Sequence, residues 1–143
     1  SHNFIEATEA RSFPTAMFSL PARYDGIFKS ILIPHGLIQD RIEKLAQDII
    51  DSIGSKPITA VCVLKGGHTF FADLVRVVER RNPSGHPVRF DFVRLKSYEG
   101  TESTGHIRII GGDLEALRDR NVLIVEDIVD TGATMVKLLS ELE

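Results

Sequence analysis

Apolar side chains recur along this chain in distinct rhythms that divide it into elements. After Leu37, apolar residues at Ile38, Ile42, Leu45, Ile49 and Ile53 are spaced three and four apart, with polar residues between them and Gly54 just beyond. That spacing predicts one amphipathic helix with a glycine stop. Ile58 to Leu64 is an almost unbroken β-branched and aliphatic run closed by Gly66-Gly67, the pattern of a strand covered on both faces in a parallel sheet. Thr69 is then the expected N-cap of a second helix, with Phe70, Phe71, Leu74, Val75 and Val78 on one side and Asn82-Pro83 at its end. Val88 to Tyr98 alternates in part and predicts a second strand. The polar segment 99–105 reads as mobile, and His106 to Ile110 as a weaker strand. Last, the apolar run Val122 to Val125, after Asn121, leads through acids and a Thr-Gly turn into a helix that runs to Glu143.

Residues 1–30 show no sustained period and carry Pro14, Pro21 and Gly26, so they are expected to form an irregular arm, with a short strand near 31–33 and a core domain over 31–143. Strands alternating with helices imply an α/β fold: an open, mostly parallel sheet flanked by helices. Ligands of such sheets gather outside the carboxyl ends of the strands, here at residues 64–67 and 126–134. No internal repeat or low-complexity tract interrupts this order.

Composition narrows the picture further. A chain of 143 residues, 43% hydrophobic and 26% charged, suits one globular domain. Its net charge of −3 gives no general attraction to nucleic acid or anionic membrane, so neither is expected as a partner, and any phosphate site must be built locally. Cys62, the single cysteine, lies inside the apolar run 58–64 and is expected to be a buried, inert thiol in a reducing compartment. No stretch reaches the roughly 18 apolar residues of a membrane span. The beginning of the chain, with Glu6, Glu9 and Arg11, lacks the apolar centre of a signal peptide. The expectation is a soluble, cytoplasmic protein.

The most informative chemistry lies in Val122-Leu-Ile-Val-Glu-Asp-Ile-Val-Asp-Thr-Gly-Ala-Thr134. An apolar strand ends in Glu126 and Asp127, which can accept hydrogen bonds from sugar hydroxyls or hold a hydrated Mg²⁺. Asp130 follows at the turn. Thr131, Gly132, Ala133 and Thr134 then open a helix whose free backbone amides suit a phosphate, with Gly132 allowing close approach. Helix capping accounts for any one of these residues alone. It does not call for two carboxylates at a strand end, a third three residues on, and then Thr-Gly-x-Thr.

This run resembles the motif by which type I phosphoribosyltransferases bind phosphoribosyl pyrophosphate (PRPP). Further segments narrow the likeness to the hypoxanthine-guanine phosphoribosyltransferases: Ile33-Pro-His-Gly-Leu-Ile, Val61-Cys-Val-Leu-Lys-Gly-Gly67, Asp91-Phe-Val-Arg-Leu-Lys-Ser-Tyr98, Ser103-Thr-Gly105 and Ile110-Gly-Gly-Asp113 follow in order. The resemblance implies a Mg²⁺-dependent, purine-salvage transferase acting on PRPP and a purine base, in a homodimer or homotetramer. It implies that Thr131, Gly132, Ala133 and Thr134 hold the 5-phosphate and that Glu126 and Asp127 meet the ribose hydroxyls and the Mg²⁺. Asp130 would face N7 of the base and exchange a proton with it. Leu64, Lys65 and Gly66 match a pyrophosphate loop in which the peptide before the lysine can be cis. Ser97 and Tyr98 match the start of a closing loop that continues over 99–105 and excludes water from the reacting centre.

Plainer readings stand beside these: Gly66-Gly67 as an ordinary turn with Lys65 in solvent, and Ser97-Tyr98 as a strand end. Gly100 and Gly105 have the spacing of P-loop glycines, but His106-Ile107 stands where Lys and Ser/Thr are required. His35, His68, His86 and His106 make no metal-ligand spacing with Cys62 and are expected in turns or on the surface. Arg80-Arg81 is expected as a solvated helix end, and Phe70 and Phe71 as core. Ala133 departs from the family, where many purine enzymes carry lysine; backbone amides hold the phosphate there, so a modest effect is expected. Family chains continue with a base-reading lysine, a stacking aromatic and another aspartate, so the present sequence is expected to be truncated at its C-terminal end. Two alternatives remain open at this stage. One is a non-catalytic PRPP-binding regulatory module, which would not need Asp130; the other is an unrelated α/β domain with acids at its strand ends, which would not bind Mg·PRPP.

Overall fold

In a computed structural model, residues 4–97 and 107–142 are described. The chain separates into two compact units, Ser1–Arg41 and Ile42–Glu143, with the division inside the first long helix. The N-terminal unit contains 3₁₀ turns at Glu9–Arg11, Thr15–Met17 and Ala22–Tyr24 and a two-stranded antiparallel ribbon of β1 (Phe13–Pro14) and β2 (Ser30–Ile31). The strand expected near 31–33 thus lies at Ser30–Ile31, ahead of Pro34, whose ring leaves no amide to donate. Phe13 meets Phe18 edge to face at 6.0 Å, and the Arg23 guanidinium lies 4.5 Å from the centre of the Tyr24 ring.

Helix α1 (His35–Ile53) ends at Gly54, which takes φ +70° as the stop predicts. Beyond it come β3 (Ile58–Leu64), α2 (His68–Arg81), β4 (Arg89–Ser97), β5 (Ile107–Ile110), β6 (Asn121–Val125) and α3 (Ala133–Leu142). The four longer strands form one sheet in the order β5-β4-β3-β6. β3 is parallel to both neighbours, and β4 pairs antiparallel with β5. The expected mostly parallel sheet is therefore present, and β5 is its one antiparallel member.

The continuous apolar run of β3 is explained by its central place: Ile58 through Val63 are all buried. On one face Ile58, Ala60 and Cys62 pack with Ile42, Ala46 and Ile50 of α1 and with Phe71, Leu74, Val75 and Val78 of α2. On the other, Val61 and Val63 join Val93, Leu117 and Leu138 of α3. Each such side chain contributes roughly 1.5–3 kcal/mol when fully buried. Cys62 is free and buried, and burial, followed by the charges of Glu126 and Asp127, pushes its thiol pKa up, which makes it inert as expected. Among the described residues, no helix is long and apolar enough to cross a membrane.

Two local expectations are corrected. Thr69 does not cap α2: the helix begins at His68 after Gly67, without a side-chain cap, and the Thr69 hydroxyl lies 3.2 Å from the His68 ring instead. Arg80 and Arg81 are not simply solvated. Both pair with Glu43 of α1, Arg81 Nε donating to Glu43 Oε2 at 2.6 Å, and Arg81 Nη1 also donates to Gln47 Oε1 at 3.2 Å. Adjacent helix positions on α2 can reach one acceptor because α1 lies alongside it.

The hydrogen bonds from Arg81 and then Arg80 hold the Glu43 carboxyl below its ordinary value of about 4.3. A depressed carboxylate pKa contributes stability above the unfolded value and loses it as pH falls through the native one. Thermal unfolding of wild type and Glu43→Gln should accordingly differ at pH 7, with wild type melting higher, and the gap should narrow as pH falls below the unfolded value of about 4.3. The difference should also shrink in high salt, because the pair is partly exposed.

Candidate active site

The sheet places two loops side by side. β3 and β6 are adjacent and parallel, with Cys62 opposite Val125, so their carboxyl ends open at the same edge. From there the chain turns to α2 on one face and to α3 on the other. Strand β3 is thus the point where the winding reverses, the place at which open α/β sheets leave a crevice. A cleft of about 320 Å³ lies at this edge, lined by Leu64 and Lys65 from the first loop and by Glu126, Asp127, Asp130, Thr131, Gly132 and Thr134 from the second.

The loops touch at one point. A methyl group placed on Gly66 would lie 1.7 Å from Asp127 Oδ2 and 2.7 Å from its carboxyl carbon. A side chain at position 66 would therefore require the Asp127 carboxylate to move aside. At Gly67 the same construction gives only ordinary contact, 3.5 Å from the Asp127 backbone nitrogen. The Leu64–Lys65 peptide, immediately before this contact, is cis. The Lys65 carbonyl is 3.1 Å from Nδ1 of His68.

In the second loop the Asp127 amide donates to Glu126 Oε1 at 3.0 Å, folding the Glu126 side chain back over its neighbour. Partial burial, together with the hydrogen bond and charge of Asp127, raises the Glu126 pKa above the ordinary carboxylate range. Two carboxylates this close repel, and a cation or a set of hydroxyl donors would relieve the repulsion. Both are hard oxygen donors of the kind that Mg²⁺ accepts together with water and substrate oxygens. No group of three or more His, Cys, Asp or Glu among the described residues could hold a metal unaided.

The turn that follows is shaped by Gly132. Its φ is +82°, and nothing lies within 4 Å of where a side chain would project. The glycine is needed for its backbone conformation, in addition to the close approach of a ligand expected for it. The α-helix proper starts at Ala133, so Thr131 and Gly132 form the turn ahead of it. Val136 donates the first helical bond to Gly132 at 2.9 Å, and the Thr131 hydroxyl accepts from the Ala133 amide at 3.4 Å. Amides in this first turn have no carbonyl partner within the helix and, with the positive end of the helix dipole, favour an anion.

Of the residues singled out in the sequence, Leu64, Lys65, Glu126, Asp127, Asp130, Thr131, Gly132 and Thr134 line the one cleft. Gly66 abuts it through Asp127, and Ala133 begins α3. Ser97 is the last residue of β4, whereas Tyr98 and the segment 99–105 lie outside the described residues. The cleft also contains Leu95, Ile128, Val129 and Met135, which sequence reasoning missed. Ile128 and Val129 are 75% and 59% exposed; two β-branched apolar residues set between acids in a turn were the available signal.

The sequence model of the phosphoribosyl transferase domain matches residues 30–143. The hypoxanthine-guanine phosphoribosyltransferase of mouse (Mus musculus) is 50% identical over 144 residues, an alignment covering 98% of this chain and 66% of the mouse protein. Among solved structures, a hypoxanthine phosphoribosyltransferase from Staphylococcus aureus is similar with TM-score 0.69 and 29% identity, over 87% of this chain and 65% of that one. The hypoxanthine phosphoribosyl transferase of Trypanosoma cruzi, solved to study how its C-terminal region affects oligomeric state and activity, is similar with TM-score 0.62 and 33% identity, over 73% of this chain and 56% of that one. The chain thus spans 66% of the mouse protein and 65% and 56% of the two solved structures. With its crevice at the reversal of the sheet, its paired acids and its Thr-Gly turn, and with the match running from residue 30 through residue 143, the chain belongs to the phosphoribosyl transferase domain family.

Proposed function

We propose that this chain, through its portion 31–143, carries out purine salvage: transfer of the 5-phosphoribosyl group from PRPP to hypoxanthine or guanine, giving IMP or GMP and pyrophosphate. The observation that carries the reading is the abutment of Gly66 on Asp127, which puts a loop suited to pyrophosphate beside acids suited to ribose and a turn suited to phosphate. The similarity to hypoxanthine-guanine enzymes supports the choice of base. In the sheltered, reducing environment that a free buried Cys62 suits, the protein would act in the cytoplasm, as a homodimer or homotetramer.

Each part of PRPP has a matching group. The first-turn amides around Thr131, Gly132, Ala133 and Thr134 would take the 5-phosphate. Glu126 and Asp127 would accept hydrogen bonds from the two ribose hydroxyls and hold Mg²⁺. Bound there, Mg²⁺ would offset the negative charge of the pyrophosphate. Leu64, Lys65 and Gly66 would receive the pyrophosphate, Lys65 by charge and the others by backbone. As pyrophosphate leaves, N9 of the purine bonds to C1 of the ribose, and Asp130 takes the proton that the base gives up at N7. Ser97 and Tyr98 would begin the segment that closes over this centre and keeps water from capturing it.

The direct test incubates the protein with Mg·PRPP and, separately, hypoxanthine, guanine and xanthine, and follows the nucleotide by absorbance. Asp130→Asn should lower turnover by about a hundredfold or more, the scale of a lost general base, with PRPP binding measured by calorimetry essentially unchanged. Unaltered turnover would remove Asp130 from its assigned role, and failure to bind Mg·PRPP would remove the reading as a whole. Binding without turnover in the wild type would point to a regulatory module.

Gly66→Ala probes the junction itself. Its backbone conformation needs no glycine, so any effect comes from the collision with Asp127. Overpacking of this kind costs about 1–3 kcal/mol. PRPP affinity should drop by about tenfold, while the packing of the two sheet faces, and hence the far-ultraviolet circular dichroism, stays unchanged.

A further inference from the structure

One polar side chain near the cleft has no part in the reaction described above. The His68 ring stands at the first position of α2, immediately after the Gly66-Gly67 turn. Its Nδ1 lies 3.1 Å from the Lys65 carbonyl oxygen and its Nε2 lies 3.2 Å from the Thr69 hydroxyl. A carbonyl can only accept, so Nδ1 must carry the proton. In the neutral ring Nε2 then accepts from the Thr69 hydroxyl, and the two contacts together select one tautomer. The bond spans the turn: it ties the carbonyl of Lys65 to the start of a helix that Phe71 and Leu74 anchor in the core. Between the tied carbonyl and the helix sit Gly66 and Gly67, the residues packed against Asp127.

From this we infer that His68, oriented by Thr69, is a positioning residue for the 64–67 loop: its Nδ1–H bond to the Lys65 carbonyl holds that loop in the conformation that receives the pyrophosphate of PRPP. The inference rests on the assignment of this loop under Proposed function. Two glycines in succession leave the turn with little conformational restraint of its own. A side-chain tie from a rigid helix supplies it, which lowers the ordering cost when the anion binds. The ring hydrogen-bonds to Lys65 and Thr69 and to none of Glu126, Asp127 and Asp130, so it acts through the loop.

Three variants separate this role from a merely structural one. His68→Phe keeps a ring and removes both hydrogen bonds. His68→Asn places an amide N–H where Nδ1 stood, and His68→Gln places one where Nε2 stood. Binding of Mg·pyrophosphate and of IMP is measured separately by calorimetry, since IMP uses the 131–134 turn without the pyrophosphate loop. His68→Phe and His68→Gln should each weaken pyrophosphate binding by about five- to tenfold, the scale of one lost hydrogen bond. His68→Asn should restore it to within about threefold, on the same scale, and IMP affinity should hold in all three. In the wild type, nitrogen-15 NMR should find the His68 ring as the Nδ1–H tautomer. Equal weakening for both ligands, no weakening in His68→Phe, no difference between Asn and Gln, or the opposite tautomer would each overturn the inference. If the wild type binds IMP but not Mg·pyrophosphate, the loop assignment falls and this inference falls with it; a wild type that binds pyrophosphate normally with an indifferent His68→Phe sinks the inference alone.

Discussion

The arrangement of the site depends on one close approach, the backbone of Gly66 against the carboxylate of Asp127. It exists because β3 and β6 are hydrogen-bonded in parallel register, which brings both loops out at the same edge and the same height. A side chain at position 66 would occupy the volume of the carboxylate. The buried strand supplies the precision, since Ile58 through Val63 are held from both faces and a slip of one residue would exchange the side chains fitted to each core.

Around that contact the electrostatics are arranged in opposition. Glu126 and Asp127 crowd negative charge at the end of β6, and partial burial raises the cost of ionising Glu126. A few residues later the first turn of α3 presents amide hydrogens and the positive end of a dipole. Adjacent sites of opposite preference suit a ligand that carries hydroxyls and a cation at one end and a phosphate at the other. A chain with net charge −3 obtains its anion site from backbone geometry, with Lys65 the cationic side chain in the cleft lining.

The helices have separate duties. α1 and α2 close one face of the sheet and are tied to each other by Glu43 with Arg80 and Arg81. α2 also begins at the loop, so its first residue, His68, can brace what its later residues anchor. α3 closes the other face through Leu138, and its first turn belongs to the site. Helix packing and loop geometry are thus coupled in the same few residues at each helix start.

Much of this was legible in the order of residues, because periodicity and turn chemistry are local. The step of three and four marked α1, the unbroken run marked β3 as central, and the acids followed by Thr-Gly-x-Thr marked the second loop. Where the reading failed, the deciding contact came from residues distant in sequence or from the backbone. Arg80 and Arg81 resemble any solvated helix end until α1 brings Glu43, 37 positions earlier than Arg80, to meet them. Thr69 has the chemistry of an N-cap, yet the helix starts two residues sooner than that cap implies, at His68, and the Thr69 hydroxyl goes to the His68 ring. Gly132 reads as room for a ligand, and the structure adds a positive φ, a backbone need of the turn that the residue order did not announce. Sequence alone thus determined the elements and the chemical character of the two loops, each set by neighbours along the chain. Only the tertiary structure decided that Gly66 meets Asp127, because that meeting depends on which strands pair and in what register.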